Sequence, residues 1–330
     1  MPRVGMLGTF VWDRIHPPPG APGHGGDPHE DWGGITYSLE AFAAARDDAW
    51  TCLPIAKVGT DVFGKLLDRV SDMDGVESGA ALVEVPQPNN RVDLHYHDSA
   101  DRCEHLKGGV PGWTWTELGP IVAQCDALYV NFVAGWELDL ATVRRLRAEF
   151  RGPVFCDIHS LLLGTDHSGV RVRRALDNWP EWSKCFDLVQ GNRDEIRIVT
   201  GGIEDPVAGV RSLVDSGVDA AFSTLGADGV AWAASACSPW LDAISNGAGK
   251  SGEPVTAHAP VSLPARSVVD ATGCGDVWGA ACFTSLLGGR PLSAAVERAN
   301  LLGAATASRR GTAGLGASLR LHALNGHGTP

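Results

Sequence analysis

The sequence lacks an excess of positive charge. Its 27 lysines and arginines face 39 aspartates and glutamates over 330 residues, which gives a formal net charge of −12. Because nucleic-acid phosphates are bound by clustered Lys and Arg, this balance argues against a nucleic-acid partner. It does not exclude an anionic small molecule, since a few backbone amides can bind phosphate inside an acidic protein.

Apolar runs long enough to cross a bilayer are also missing. No run reaches 18 residues, and the opening MPRVGMLGTFVWD has no charged region followed by a long apolar one. The eight cysteines form no CxxC pair, so zinc-ribbon and thioredoxin-type sites lack support. Several lie in or beside apolar segments, as reduced cysteines do. We therefore expect a cytoplasmic protein without a membrane partner.

Two common phosphate-binding motifs are absent. The segment NGAGKSG, residues 246–252, lacks the first glycine of a Walker A loop because Ile244 occupies that place. The first predicted strand, in VGMLGTFVWD, is not followed by the GxGxxG of a dinucleotide-binding fold. Neither nucleotide-binding class is therefore indicated.

What the chain does contain, from about residue 120 onward, is a regular alternation of short elements. CDALYVNFV, PVFCDIHS, FDLVQGN and AAFSTLG are typical of strands, whereas LATVRRLRAEF, GVRVRRALDNW and AGVRSLVDSG favour helices. This alternation predicts an α/β fold with a mostly parallel sheet covered on both faces. Because ligands bind at the carboxyl ends of such strands, NFV, DIHS, QGN, STLG and DATGCGD should line one edge.

The remaining segments are less regular. RVGMLGTFV predicts a first strand, TYSLEAFAAA a helix, and RVDLHYHD a strand with one solvated face. Residues 235–265 are rich in Gly, Pro and Ser and predict an irregular excursion. The weakly patterned tail, residues 314–330, is expected to fray. We expect one domain over residues 1–330.

The turn DATGCGD, residues 270–276, precedes a long apolar segment. The first N–H groups of a helix lack intrahelical partners, and Gly273 and Gly275 allow a ligand to approach them without a Cβ clash. Such a turn is suited to a phosphoryl group. Asp276 follows directly and could accept a proton from an attacking hydroxyl. The local pattern also fits the simpler role of an aspartate near the start of a buried helix.

The same segment resembles the second signature of the ribokinase-like (PfkB-type) carbohydrate kinase family, D-[TS]-x-G-[AG]-G-D, with Ala271 and Cys274 as departures. Other stretches resemble family motifs in the same order. They are the pair Gly33–Gly34 with the later VGTDVFG, the NRDE of residues 192–195, the STLGADGV of residues 223–230, and the ANLLGAATASRRGT of residues 299–312.

The resemblance implies a three-layer αβα ribokinase-like fold with a small β-sheet lid from about residues 10–32 and 85–110. It implies ATP-dependent phosphorylation of a hydroxyl on a small sugar or polyol, with ATP and Mg²⁺ as cofactors. The implied catalytic residues are Asp276 as base, with the amides of Gly273, Cys274 and Gly275 stabilising charge. The implied substrate-binding residues are Asp13, Gly33, Gly34 and Ser38. The implied nucleotide-binding residues are Asn192, Thr224, Gly226, Gly229, Thr272 and Asn300, and Glu195 would hold the metal through water.

Ser38 stands where the family has an asparagine, which leaves the acceptor open. A nucleoside kinase of the same family is one alternative, a catalytically silent ligand-binding homologue is another, and a phosphate-handling α/β protein unrelated to kinases is a third. The resemblance also predicts a homodimer formed through the lid.

Overall fold

A computed structural model describes residues 1–16, 27–46, 49–96, 102–241, 252–261 and 268–325. The strands of this part of the chain are β1 Arg3–Leu7, β2 Phe10–His16, β3 His29–Gly34, β4 Thr51–Gly59, β5 Leu82–Val85, β6 Arg91–Tyr96, β7 Arg102–Lys107, β8 Ala127–Asn131, β9 Val154–Asp157, β10 Leu163–Thr165, β11 Arg171–Arg173, β12 Leu188–Asn192, β13 Ala220–Thr224, β14 Val230–Ala234 and β15 Val255–Ala259. Its helices are α1 Ile35–Ala45, α2 Phe63–Ser71, α3 Trp115–Val122, α4 Leu140–Glu149, α5 Trp179–Ser183, α6 Arg193–Val199, α7 Pro206–Asp215, α8 Cys274–Leu287, α9 Leu292–Thr306 and α10 Leu315–Asn325.

Nine of these strands form one large sheet in the order β15-β14-β13-β12-β9-β8-β1-β4-β5. The pairs from β12–β13 across to β4–β5 are parallel, and β14 and β15 are added antiparallel at one edge. Strand β8 is buried at all five of its positions, as expected for a parallel strand covered on both faces.

Each face of this sheet is covered by its own hydrophobic core. One core includes residues from α1, α8, α9 and α10, namely Phe42, Phe283, Leu302 and Leu319. The other includes residues from α3 to α7, namely Leu118, Leu146, Trp182, Ile196 and Leu213. The result is an αβα sandwich, which confirms the predicted fold class.

A second sheet of four strands, in the order β3-β2-β6-β7, forms the lid. Its small apolar core contains Val11, Ile15, Val92, Leu94 and Leu106, with Val133 of the main body packed against it. Its strands lie within the predicted lid ranges, except that β3 continues to Gly34.

The helix predicted in GVRVRRALDNW is wrong. Residues 163–165 and 171–173 instead form the antiparallel hairpin β10–β11. The segment alternates valine and arginine with a period of two, which is the period of a strand. The hairpin is joined to the lid, since the Leu106 N–H donates to the Gly169 carbonyl at 2.9 Å.

Two further expectations differ from the structure. Residues 315–325 of the tail form α10, whose Leu315 and Leu319 are fully buried, because its apolar side chains pack on α1 and α9. Within the region 235–265, β15 pairs with β14, whereas residues 242–251 and 262–267, including most of NGAGKSG, lie outside the described residues. No helix of the described chain has the length and apolar character needed to span a membrane.

Candidate active site

The turn before α8 lies at the carboxyl edge of the large sheet. Gly273 is the N-cap of α8 and has φ of 76°, a left-handed conformation that favours glycine. A Cβ at Gly273 would overlap the ring of Tyr37, so the turn also requires a residue without a side chain. The Thr272 N–H donates to Asp270 Oδ1 at 2.9 Å, which fixes the turn.

Asp276 lies in the first turn of α8, and a side chain from another strand holds it. Asn131, the last residue of β8, donates from Nδ2 to Asp276 Oδ1 at 2.6 Å and to Ser38 Oγ at 3.3 Å. Asn131 is completely buried. The end of strand β8 therefore fixes the orientation of the Asp276 carboxylate. A solvated aspartate that only stabilises the start of a helix would need no such partner.

Asp276 lines a cavity of about 230 Å³ between the sheet edge and the lid. Val11, Val92 and Leu94 form its apolar side on the lid. Five carboxylates line it, those of Asp13, Glu104, Asp157, Glu195 and Asp276. We call it the acceptor cavity.

Three of the predicted substrate-binding residues meet at the lid side of this cavity. Asp13 of β2 is 6% exposed and lines the cavity. A Cβ at Gly33 would overlap the Asp13 carboxylate, so glycine is needed beside it. Gly34 lines the cavity and has φ of 60° as the N-cap of α1. Ser38 is different, because it is buried beneath the cavity, where it contacts Asn131.

A second cavity of about 580 Å³ lies on the other side of the turn, and we call it the donor cavity. Its lining is mostly apolar and includes Val268, Trp278, Gly303, Ala304 and Ala307. The predicted nucleotide-binding residues Thr224, Gly226, Gly229 and Asn300 lie here, together with Cys274. Thr224, Ala271 and Gly275 line both cavities, so the two meet at the start of α8.

Two of the predicted nucleotide-binding residues line the acceptor cavity instead of the donor cavity, and a third connects the elements that form the wall of the donor cavity. Asn192 and Thr272 line the acceptor cavity. Asn300 lines the donor cavity, but its Oδ1 accepts from Trp278 Nε1 at 2.8 Å and its Nδ2 donates to the Ala259 carbonyl at 3.0 Å. Asn300 therefore shapes the wall between α8 and β15.

Asn192 and Glu195 form a capping box at the start of α6. Asn192 Oδ1 accepts from the Glu195 N–H at 3.0 Å, and Glu195 Oε2 accepts from the Asn192 N–H at 2.7 Å. Glu195 Oε1 also lies 3.1 Å from Nδ1 of His159. This pairing fixes the Glu195 carboxylate at the rim of the acceptor cavity.

The electrostatics beside Asp276 are dominated by Asp157, the last residue of β9, and by His159, two residues later. Burial raises the pKa of the Asp157 carboxyl well above its usual range, and the nearby Asp276 and Glu195 carboxylates raise it further. Burial acts to lower the pKa of His159, but the hydrogen bond to Glu195 and the surrounding carboxylates raise it to about 9. Both shifts favour the protonated forms of Asp157 and His159.

Gln190 links Asp157 to the turn. Its Nε2 donates to Asp157 Oδ2 at 3.1 Å and to the Gly275 carbonyl at 2.9 Å. A Cβ at Gly279 would overlap Gln190 Oε1, so the glycine allows α8 to approach β12 closely.

The oxygen donors at the rim fit a magnesium ion that keeps most of its water. The Glu195 carboxylate is a hard oxygen ligand of the kind that Mg²⁺ prefers, and it lines the cavity where the phosphates are expected. No group of three or more His, Cys, Asp or Glu side chains within the described ranges is arranged to bind a metal directly.

Sequence reasoning missed Asn131, Asp157, Gln190, Glu104 and Arg171 as individual site residues. The strand-end rule had already selected the segments NFV, DIHS and QGN, so the signal for Asn131, Asp157 and Gln190 was present. Glu104 and Arg171 carried no such signal, because they reach the cavity from the lid and from the hairpin that replaced the predicted helix.

A known protein family resembles part of this chain. Residues 163–317 match the model of the pfkB family carbohydrate kinases. No curated protein sequence matches the chain.

Solved structures resemble nearly the whole chain. A ribokinase from Arabidopsis thaliana in complex with ribose and ATP is 16% identical, with a TM-score of 0.69 and 98% of each chain covered. A pyrophosphate-dependent myo-inositol-1 kinase, converted into a myo-inositol-3 kinase by two substitutions, is 16% identical, with a TM-score of 0.72 and 98% and 99% of the two chains covered. A nucleoside kinase from Burkholderia thailandensis in complex with inosine is 14% identical, with a TM-score of 0.70 and 99% and 98% covered. At these identities the likeness shows the ribokinase-like fold.

Proposed function

We propose that the chain transfers the γ-phosphoryl group of ATP to a hydroxyl of a small sugar or polyol, which the match of residues 163–317 to the pfkB family carbohydrate kinases supports. The observation that carries the proposal is the position of Asp276, at the start of α8, where the acceptor and donor cavities meet. A phosphoryl group passing between the two cavities would come close to this carboxylate.

In the proposed reaction, the acceptor hydroxyl attacks the γ-phosphorus and Asp276 takes its proton. The bond from the γ-phosphorus to the bridging oxygen breaks, and ADP leaves. Asn131 holds Asp276 Oδ1 at 2.6 Å, so the other carboxylate oxygen can face the acceptor. A positioned base contributes on the order of 10²–10⁴ in rate.

The start of α8 would stabilise the charge on the transferred group. The first-turn N–H groups of a helix have no intrahelical partners, and Gly273 and Gly275 lie against the acceptor cavity. The Cys274 N–H donates to the Ala271 carbonyl at 3.3 Å, so its contribution to this cradle is weaker than the family pattern implies. Magnesium, when bound, would neutralise phosphate charge, and Asn192, Glu195 and Asp157 would hold its water molecules.

The two cavities favour a nucleotide donor and a small acceptor. The donor cavity is wide and apolar, which suits a nucleobase better than pyrophosphate alone. The acceptor cavity, at about 230 Å³, lies below the range of about 300–1,000 Å³ typical of drug-sized ligands. Its carboxylates can accept hydrogen bonds from several hydroxyl groups, as a sugar or polyol offers.

The test is release of ADP from Mg-ATP over a panel of monosaccharides, polyols and nucleosides, with Asp276→Asn as the matched inactive control. We expect turnover with at least one monosaccharide or polyol that the control loses. Turnover with nucleosides alone would favour the nucleoside kinase, and use of pyrophosphate instead of ATP would overturn the assigned donor. Binding of an acceptor without turnover would favour the catalytically silent homologue. A homodimer through the lid remains a prediction.

A further inference from the structure

A third cavity, of about 440 Å³, lies at the far end of the helices that begin at the active site. Its walls come from the last turn of α1, the second half of α8, and parts of α9 and α10. It shares no lining residue with the acceptor or donor cavity. We call it the arginine cavity.

Four arginines line this cavity, in a protein whose net charge is −12. They are Arg46, Arg290, Arg298 and Arg320, and the one acidic residue in the lining is Asp74. Arg46 and Arg320 both direct a guanidinium nitrogen to Asp74 Oδ2, at 3.1 and 3.7 Å. Asp74 thus lies between two of the four guanidinium groups.

Arg298 carries the strongest indication of a missing anion. Among the described residues it forms no ion pair or hydrogen bond, and its Nε is buried without a partner. Burial lowers the pKa of Arg298, and the nearby Arg290 lowers it further. Arg298 itself is half-buried, but an enclosed N–H without an acceptor is unfavourable, so an anion that accepts from Nε would stabilise the folded protein.

A hydroxyl group beside the arginines points to the same kind of ligand. Thr284 of α8 is 4% exposed and lines the cavity, and its Oγ1 is buried without a hydrogen-bond partner. Buried polar atoms in native structures are nearly always hydrogen bonded, so an unpartnered one facing a cavity indicates a ligand or water. A phosphate oxygen can accept both from this hydroxyl and from guanidinium groups.

We propose that the arginine cavity binds a small anion bearing a phosphate group. Planar guanidinium groups match phosphate oxygens in pairs, which favours phosphate as the recognised group. The volume of about 440 Å³ has room for a small organic portion beside the phosphate. The recognised ligand is therefore a phosphorylated small metabolite or inorganic phosphate itself.

The cavity is well placed to communicate with the active site. Helix α8 carries Gly273 at its start and Thr284 in its second half, and α1 carries Gly34 at its start and Ala45 at its end. At about 1.5 Å per residue, the 14-residue α8 spans about 21 Å. Both helices are buried, so an anion at one end and a substrate at the other contact the same rigid elements.

The experiment is calorimetric titration of the full chain with inorganic phosphate, with glycerol 3-phosphate, and with malonate as a dicarboxylate, at fixed ionic strength. Saturating magnesium and adenylyl imidodiphosphate keep the donor cavity filled. We expect one additional site per chain for the two phosphates. Arg298→Gln should raise the Kd of this site about tenfold or more, the usual loss for a hydrogen bond to a charged group.

Two variants make the result specific. Arg298→Gln breaks no contact that the structure shows, so its folding is not at risk, and Thr284→Val keeps the shape of the side chain while removing the hydroxyl. Both should weaken phosphate binding. The matched control is Arg145→Gln on α4, an exposed arginine paired with Glu149, which should leave the Kd unchanged.

The proposal is overturned by an absence of any additional site. It is likewise overturned if Arg145→Gln weakens binding as much as Arg298→Gln does. Malonate binding as tight as phosphate binding would overturn the assignment of phosphate as the recognised group. Phosphate binding that both cavity variants weaken and the control does not would support it.

Discussion

The acceptor and donor cavities meet at one turn but are built on different principles. The acceptor cavity is lined by five carboxylates that the lid and the strand ends bring together. The donor cavity is lined mainly by small and apolar residues of the turn and α9. The acceptor cavity offers a ligand charges and hydrogen-bonding groups, whereas the donor cavity offers it mainly an apolar surface of a given shape.

The difference shows how one site can separate two binding tasks. Directional groups such as Asp13 and Asp276 need fixed orientations. Gly33 leaves room for the Asp13 carboxylate, and Asn131 donates a hydrogen bond to Asp276. Glycine and alanine in the donor cavity need only leave room for a flat ring. Substitutions in the acceptor cavity should therefore affect catalysis and acceptor binding. In the donor cavity, larger side chains should weaken donor binding.

The largest effect is expected from Asp276→Asn, which removes the proposed base but keeps its size. Turnover should fall roughly 10²–10⁴-fold, while ATP binding measured by calorimetry stays unchanged. Cys274→Ala, two residues earlier in the same turn, is the matched control and should remain active. Near-normal turnover of Asp276→Asn with a verified acceptor would show that Asp276 is not the base.

A smaller effect, confined to one substrate, is expected from Asp13→Ala. The acceptor KM should rise about 10–100-fold, the usual loss for hydrogen bonds to a charged group, while the KM for ATP stays the same. Asp93→Ala on the neighbouring lid strand is the control, because Asp93 pairs with Arg14 and does not line the cavity. Equal changes in both KM values would mean that Asp13 supports the lid as a whole.

The charge of the acceptor cavity should also appear in the pH dependence of stability. Asp157 has a raised pKa, so between about pH 4 and that raised value the folded chain binds a proton that the unfolded chain has lost. Stability is then greatest at low pH and falls as the pH rises through this window. His159, raised to about 9, adds to the fall above its ordinary value.

Asp157→Asn should therefore flatten this slope and raise the free energy of unfolding at pH 7.5, by on the order of 2 kcal/mol. Urea unfolding at pH 5, 6, 7 and 8 measures the effect. Asp228→Asn, an exposed aspartate, should leave the slope as it is in the wild type. An unchanged slope in Asp157→Asn would show that Asp157 is ionised in the folded protein.

The smallest effect concerns Cys274, which lines the donor cavity. Its thiol is half-buried, so modest reactivity toward iodoacetamide is expected. Saturating Mg-ATP should slow iodoacetamide labelling of Cys274, as read by peptide mass, without slowing that of the exposed Cys237. Labelling of Cys274 at the same rate with and without nucleotide would place the nucleotide elsewhere.

By itself the sequence determined the architecture and the central turn. Strand and helix periods alternate after residue 120, and this pattern is enough to predict a parallel sheet with helices on both faces. The turn from Asp270 to Asp276 could be located because glycines and an aspartate before an apolar helix have a local physical meaning. The resemblance to the family motifs then implied that Asp13, Gly33 and Gly34 bind the same substrate. In the structure these three residues lie close together.

Only the tertiary structure decided which side chains touch. Asn131 and Asp276 are 145 positions apart, and their contact depends on β8 lying under the start of α8. Ser38 was expected at the acceptor, but it lies beneath the cavity because α1 turns that position toward Asn131. The segment that carries Arg171 was predicted to be a helix but forms a hairpin. The hairpin is joined to the lid by a backbone hydrogen bond from Leu106, which is far away in the sequence. Local periodicity specifies elements, whereas strand order and packing decide which of their ends meet.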